Sequence, residues 1–77
     1  MAGVPGVHTT AEWIAKRDLL GNVCMYCGEA KPLTRDHKVP ISAGGSNDIK
    51  NIVPSCQSCN SRKGIRTSAQ FLNLAAA

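Results

Sequence analysis

The apolar positions fall into short runs broken by Gly, Pro and Asn. Residues 1–8 (MAGVPGVH) are rich in Gly and Pro and read as a flexible lead-in, in which His8 has no partner to give it a role. Thr9-Thr10-Ala11-Glu12 has capping-box spacing and predicts a helix starting near Thr10. Glu12 and Lys16 lie one turn apart on it, and Gly21-Asn22 stops it. Trp13, Ile14, Leu19 and Leu20 form no clean stripe, so this short helix is expected to lie across another unit. From 33 to 39 the pattern LTRDHKV alternates, with Leu33, Arg35, His37 and Val39 on one face and Thr34, Asp36 and Lys38 on the other. That is a strand, ended by Pro40. A loop over 41–47 and one helical turn over 48–51 lead to a short return strand at Ile52-Val53, stopped by Pro54. A helix then opens at Ser58 or Cys59, carries Asn60 and Lys63, and ends at Gly64. Thr67-Ser68-Ala69-Gln70 repeats the capping-box spacing and predicts a last helix through Phe71, Leu72 and Leu74. Trp13, Leu20, Phe71 and Leu72 are the core candidates.

Size changes this picture. The chain has 77 residues and its only aromatics are Trp13, Tyr26 and Phe71. Below about 80 residues a chain rarely holds itself together without a staple. A multidomain enzyme or a large enclosed pocket is excluded; a disulfide, a metal or a partner is required. Cys24-x-x-Cys27 and Cys56-x-x-Cys59 stand 28 residues apart. The N-terminus shows no basic stretch followed by an apolar one, and no run approaches the roughly 18 apolar residues of a membrane span. A cytoplasmic, reducing setting keeps thiols free. Paired C-x-x-C knuckles there favour Zn²⁺ over disulfides or a redox dithiol, because the ion takes four thiolates at tetrahedral corners. Gly28, directly after Cys27, suits the tight turn of such a knuckle.

Charge adds a direction. The formal net charge is +4 with a pI near 9.1. Four thiolates around a dication would bring it to about +2. Residues 1–48 balance, whereas Lys50, Arg62, Lys63 and Arg66 in 49–77 face no acid. That end suits a polyanion, or simply a solvated surface; charge alone does not choose.

Between the knuckles lie Asp36-His37-Lys38-Val39-Pro40, Gly44-Gly45 and Asn51, and the second knuckle is followed at once by Asn60. Over residues 24–64 this closely resembles the HNH nucleases of the His-Me finger superfamily, in an H-N-N form with Asn60 where many members have a last His. Helices flanking the module look like those of small phage and bacterial members. The resemblance implies an α+β fold: a zinc-stapled ββα-metal (treble-clef-like) module with a helix at each end, forming one domain over residues 9–77. It also implies a metal-dependent endonuclease that nicks or cuts DNA, with RNA not excluded, leaving 5′-phosphate and 3′-hydroxyl ends.

Phosphodiester hydrolysis needs an activated water, relief of charge on the phosphoryl oxygens and a stabilised leaving oxygen. An imidazole is a suitable base near neutral pH, and the resemblance gives that role to His37, with a backbone carbonyl holding its second nitrogen. A hard cation, Mg²⁺ or Mn²⁺, takes oxygen ligands; Asp36 offers a carboxylate and Asn60 an amide oxygen. Adjacent strand residues point to opposite faces, so the resemblance implies a bulge or twist that re-aims Asp36 or His37. Asn51 is implied to pin the loop by side-chain bonds to backbone, and Gly44-Gly45 to let backbone approach DNA. Arg62, Lys63 and Arg66 are placed to meet phosphates without reading sequence. A monomer or weak dimer with one site per chain would break one strand at a time, and small phage members suggest a terminase subunit as a partner. Two rivals remain at this level: a non-catalytic zinc module that binds nucleic acid, and a protein-interaction scaffold with a basic tail.

Overall fold

The computed structural model describes residues 6–76, with side chains as far as 73; residues 1–5 of the lead-in and the side chain of Leu74 lie outside what is described. In chain order it comprises α1 (Thr10–Leu19), β1 (Leu33–His37), 3-10 turns at Ile41–Ala43 and Ile49–Asn51, β2 (Ile52–Cys56), α2 (Gln57–Lys63) and α3 (Ser68–Ala76). The strands form one antiparallel hairpin, with Leu33 opposite Cys56 and His37 opposite Ile52. This is the α+β module expected, with a helix on each side of it.

Both capping boxes form. Thr9 Oγ1 accepts from the Glu12 N–H at 3.0 Å while the Thr9 N–H donates to Glu12 Oε1 at 2.9 Å. Thr67 and Gln70 repeat the exchange at 3.1 and 2.9 Å. Each box satisfies two donors that a helix start leaves without partners. On α1 only Trp13 is buried, and Lys16 Nζ donates to the Ile49 carbonyl at 2.7 Å, tying the helix to the turn before β2. Leu20 and Leu72, expected in the core, are exposed instead. The hairpin is too small to cover both flanking helices.

The strands differ from expectation at both ends. β1 stops at His37, two residues early, because Asn51 takes over as partner: the Lys38 N–H donates to its carbonyl at 2.8 Å. β2 runs through Pro54 to Cys56. Proline is tolerated because the carbonyl of Pro54 faces away from β1 and accepts from the Met25 N–H at 2.9 Å. The first knuckle thereby covers the outer edge of β2 at Pro54.

The centre of the molecule is sulfur. Cys24, Cys56 and Cys59 are buried, with Tyr26, Leu33 and Phe71 packed against them. All four cysteines are free thiols, and their Sγ atoms lie within 4.8 Å of one another. A tetrahedral zinc with bonds of about 2.3 Å would set sulfurs about 3.8 Å apart, and Cys27 Sγ lies 3.8 Å from Cys56 Sγ. Gly28 takes φ +74° and its N–H donates to the Cys24 carbonyl at 2.8 Å, the tight turn expected of that residue. The Tyr26 N–H reaches Cys24 Sγ at 3.4 Å, and Arg62 Nη2 reaches Cys59 Sγ at 3.2 Å. The thiols ionise unequally. Ser58, the largest cause, helps pull Cys56 down to about 6, whereas burial pushes Cys59 up to about 12. Holding four thiolates together calls for a dication to offset their charge, and this donor set fits a metal such as zinc.

Removal of that metal with a chelator is expected to unfold the chain cooperatively, since so little apolar core remains without it. Far-ultraviolet circular dichroism alongside metal analysis checks this. A helical signal that persists in fully metal-free protein would contradict it.

Candidate active site

The far end of the hairpin from the sulfur cluster carries the candidate site. β1 ends in Asp36 and His37, and α2 presents Asn60 and Lys63 to them. Asp36, His37, Asn60 and Lys63, with Arg35 and Ile41, line one polar cleft of about 230 Å³. Three residues expected together from the sequence are therefore together in space. No bulge is needed. The pairing register runs unbroken through Asp36–Val53 and His37–Ile52, and both residues reach one cleft because the strand ends at His37.

His37 is half-buried, and its Nε2 lies 3.0 Å from the side-chain oxygen of Asn47. The expectation of a backbone carbonyl at this nitrogen is corrected: a side-chain amide does the work. Asn47 has no helix, strand or ligand spacing to mark it, and in the run Gly44-Gly45-Ser46-Asn47 it reads as an ordinary loop residue.

Asn51 pins the loop. It is buried, its Oδ1 accepts from the Val39 N–H at 3.0 Å, and its Nδ2 donates to the carbonyls of Val39 at 3.0 Å and Ser46 at 2.7 Å. One side chain thus spans both ends of the excursion between the strands. Gly45 is buried under the same loop, where any side chain would strike the Val39 carbonyl. Its requirement is internal packing, with its N–H donating to the Pro40 carbonyl at 2.9 Å.

Asp36 is only 5% exposed, and each of its carboxylate oxygens has one partner from the chain. Tyr26 donates its hydroxyl to Asp36 Oδ2, and Lys63 Nζ lies 3.3 Å from Oδ1. Lys63 also donates to the His37 carbonyl at 2.9 Å. The assignment of Lys63 to the phosphate-facing surface is therefore corrected: at 1% exposure it is an internal cation that neutralises Asp36 and fastens α2 to the end of β1. Lys63 follows Cys59 by four residues and shares its buried helix face, a signal the sequence does carry. Arg62 and Arg66 remain exposed, so the basic surface of the last third is carried by Lys50 and these two arginines.

Tyr26 connects the site to α3. Its hydroxyl lies 2.7 Å from Ser68 Oγ, and its ring meets Phe71 edge-on at 5.2 Å. Asn60 donates through Nδ2 to Thr34 Oγ1 at 3.3 Å, which leaves its amide oxygen for another partner. The cleft thus offers one carboxylate and one amide oxygen. Both are hard donors of the kind Mg²⁺ or Mn²⁺ takes, with the carboxylate shared with an ammonium.

Two outcomes follow from this network. Lys63→Met leaves the Asp36 carboxylate buried without its cation and is expected to cost about 3–5 kcal/mol in urea unfolding, whereas the exposed Arg62→Ala change should cost far less; equal losses would deny the buried pair its role. Burial first, then the bond to Asp36, raises the Tyr26 phenol above its ordinary range. Stability drawn from the neutral phenol is therefore complete below about pH 10 and is lost as pH rises through the higher folded value. Tyr26 is the only tyrosine, so its phenolate absorbance reads this directly, and a midpoint at the free-tyrosine value would refute the shift.

Comparison with known proteins points the same way. The HNH endonuclease family model matches residues 24–66, more than half of the chain. A Bacillus subtilis (strain 168) protein, "SPbeta prophage-derived putative HNH endonuclease YoqL", is 36% identical over 66 residues, a match covering 71% of this chain and 29% of that protein. The chain spans less than a third of that relative's length. The matched stretch opens at the first cysteine of the sulfur cluster and takes in the whole cleft, and on that coverage the chain belongs to the HNH endonuclease family.

Proposed function

We propose that this chain is a divalent-cation-dependent endonuclease that hydrolyses phosphodiester bonds in DNA, with His37 as general base. The observation that carries the reading is the meeting of His37, Asp36 and Asn60 at one open polar cleft in a family of nucleases. Asp36 and Asn60 would hold Mg²⁺ or Mn²⁺, which when bound supplies Lewis acidity to the scissile phosphate. His37 takes the proton from the attacking water. The new bond forms at phosphorus, the bond to the 3′-oxygen breaks and that oxygen takes a proton from solvent, leaving 5′-phosphate and 3′-hydroxyl ends, while His37 releases its proton to solvent. Asn51 keeps the loop beside His37 in one conformation, so the imidazole meets the water without reorganising. Arg62 near the end of α2 and Arg66 in the turn after it, both exposed, contact the phosphate backbone and position the duplex without reading its sequence. Residues 9–77 act as one domain, and a single chain with a single cleft breaks one strand per encounter.

A second reading has its own observation. The Asp36 carboxylate is already paired with Lys63 and Tyr26, as a retained but non-catalytic zinc module that binds nucleic acid would allow.

Conversion of supercoiled plasmid to open circles in Mg²⁺ or Mn²⁺ decides between them. Wild type is expected to nick, and His37→Ala to lose at least about 100-fold in rate while keeping its zinc and helical signal. Zinc-loaded protein that binds DNA in a salt-dependent manner yet leaves plasmid intact in every metal tested would establish the second reading.

A further inference from the structure

We propose that Asn47 is a positioning residue for His37, and that His8, ahead of α1, holds Asn47 in place. The proposal rests on His37 being the base. Hydrogen-bond polarity fixes the arrangement. Asn47 Oδ1, 3.0 Å from His37 Nε2, can only accept, so Nε2 carries the hydrogen and Nδ1 keeps its lone pair for a proton from water. The Asn47 backbone carbonyl also only accepts, and His8 Nδ1 lies 2.7 Å from it. On the other side of the His8 ring, Arg35 Nη1 lies 3.2 Å from Nε2. A guanidinium has no acceptor, so neutral His8 must carry its hydrogen on Nδ1.

This chain of contacts is anchored in α1. The Arg35 guanidinium lies 5.7 Å from the Trp13 ring centroid and donates to Thr10 Oγ1 at 3.4 Å. Gly6 lies so close against the Asp48 carboxylate that a side chain would not fit. Asn51 holds the Ser46 carbonyl from the opposite side. Residues 46–48 are thereby gripped on one flank by the segment before α1 and on the other by the turn before β2. His8, Thr10 and Trp13 all lie outside the matched residues 24–66. His8, which the sequence leaves without a partner, becomes an outer support of the candidate base. Losing the contact that orients a metal-bound histidine typically costs about 10–100-fold, and a loss of that order is expected for this imidazole.

Long-range ¹H–¹⁵N spectra of the zinc-loaded full chain at mildly alkaline pH test this, because His8 and His37 are its only histidines. The expected forms are Nε2–H at His37, with that proton protected from exchange, and Nδ1–H at His8. Asn47→Ala should abolish the protection and lower the kcat of plasmid nicking roughly 10–100-fold with KM unchanged. Asn47→Asp keeps an acceptor in place and should recover most of the loss. His8→Ala should weaken the protection in the same direction at unchanged zinc content. An Nδ1–H form at His37 in wild type, or unaltered exchange in Asn47→Ala, overturns the proposal. If the spectra follow expectation while wild type fails to nick, the positioning stands and the nuclease reading fails.

Discussion

Four sulfurs gathered within 4.8 Å of one another are the constraint on which this molecule depends. Apart from those sulfurs, the buried apolar side chains among the described residues are few, Trp13, Ile52 and Val53 chief among them, far short of what offsets the chain entropy of a domain this size. The cluster joins the first knuckle to the end of β2 and the start of α2, so a single centre fixes the relative positions of strand and helix. Everything in the cleft inherits its geometry from that junction. Asn60 directly follows Cys59, and Lys63 lies one turn further along the same short helix.

A second layer of order is polar. Asp36, Tyr26, Lys63 and Ser68 form a connected set in which the carboxylate oxygens, the ammonium and both hydroxyls find partners. Each of the last three comes from a different part of the chain, the first knuckle, α2 and α3, and all converge on the end of β1. Where a larger protein would close this region with leucines and phenylalanines, this one closes it with charge and hydroxyls. A network of that kind specifies geometry well when all its members are satisfied.

What the sequence makes legible divides along physical lines. Local rules carried well: both capping boxes, the stop at Gly21, the turn at Gly28 and the helix ending at Gly64 depend on a few neighbouring residues and appear as expected. The sulfur cluster was legible because thiolate spacing leaves little choice. Pro54 misled because a proline weakens a strand only on the side where its N–H is needed, and that side depends on which neighbour the strand has. Leu20 and Leu72 were expected inside because they are apolar, but only tertiary packing decides whether a surface exists to cover them. Lys63 and Asn47 were missed for a related reason. Their partners lie 27 and 10 residues away in sequence, and a lysine beside two arginines, or an asparagine beside two glycines, already has a plausible local explanation.

The covering of the outer edge of β2 at Pro54 has a consequence for the molecule in company. A two-stranded ribbon is all margin, and an open margin invites another chain to add a strand. Here the proline withholds a donor and the Met25 amide occupies the carbonyl beside it. At high local concentration the chain is thereby denied one route to stacking its ribbons into fibres.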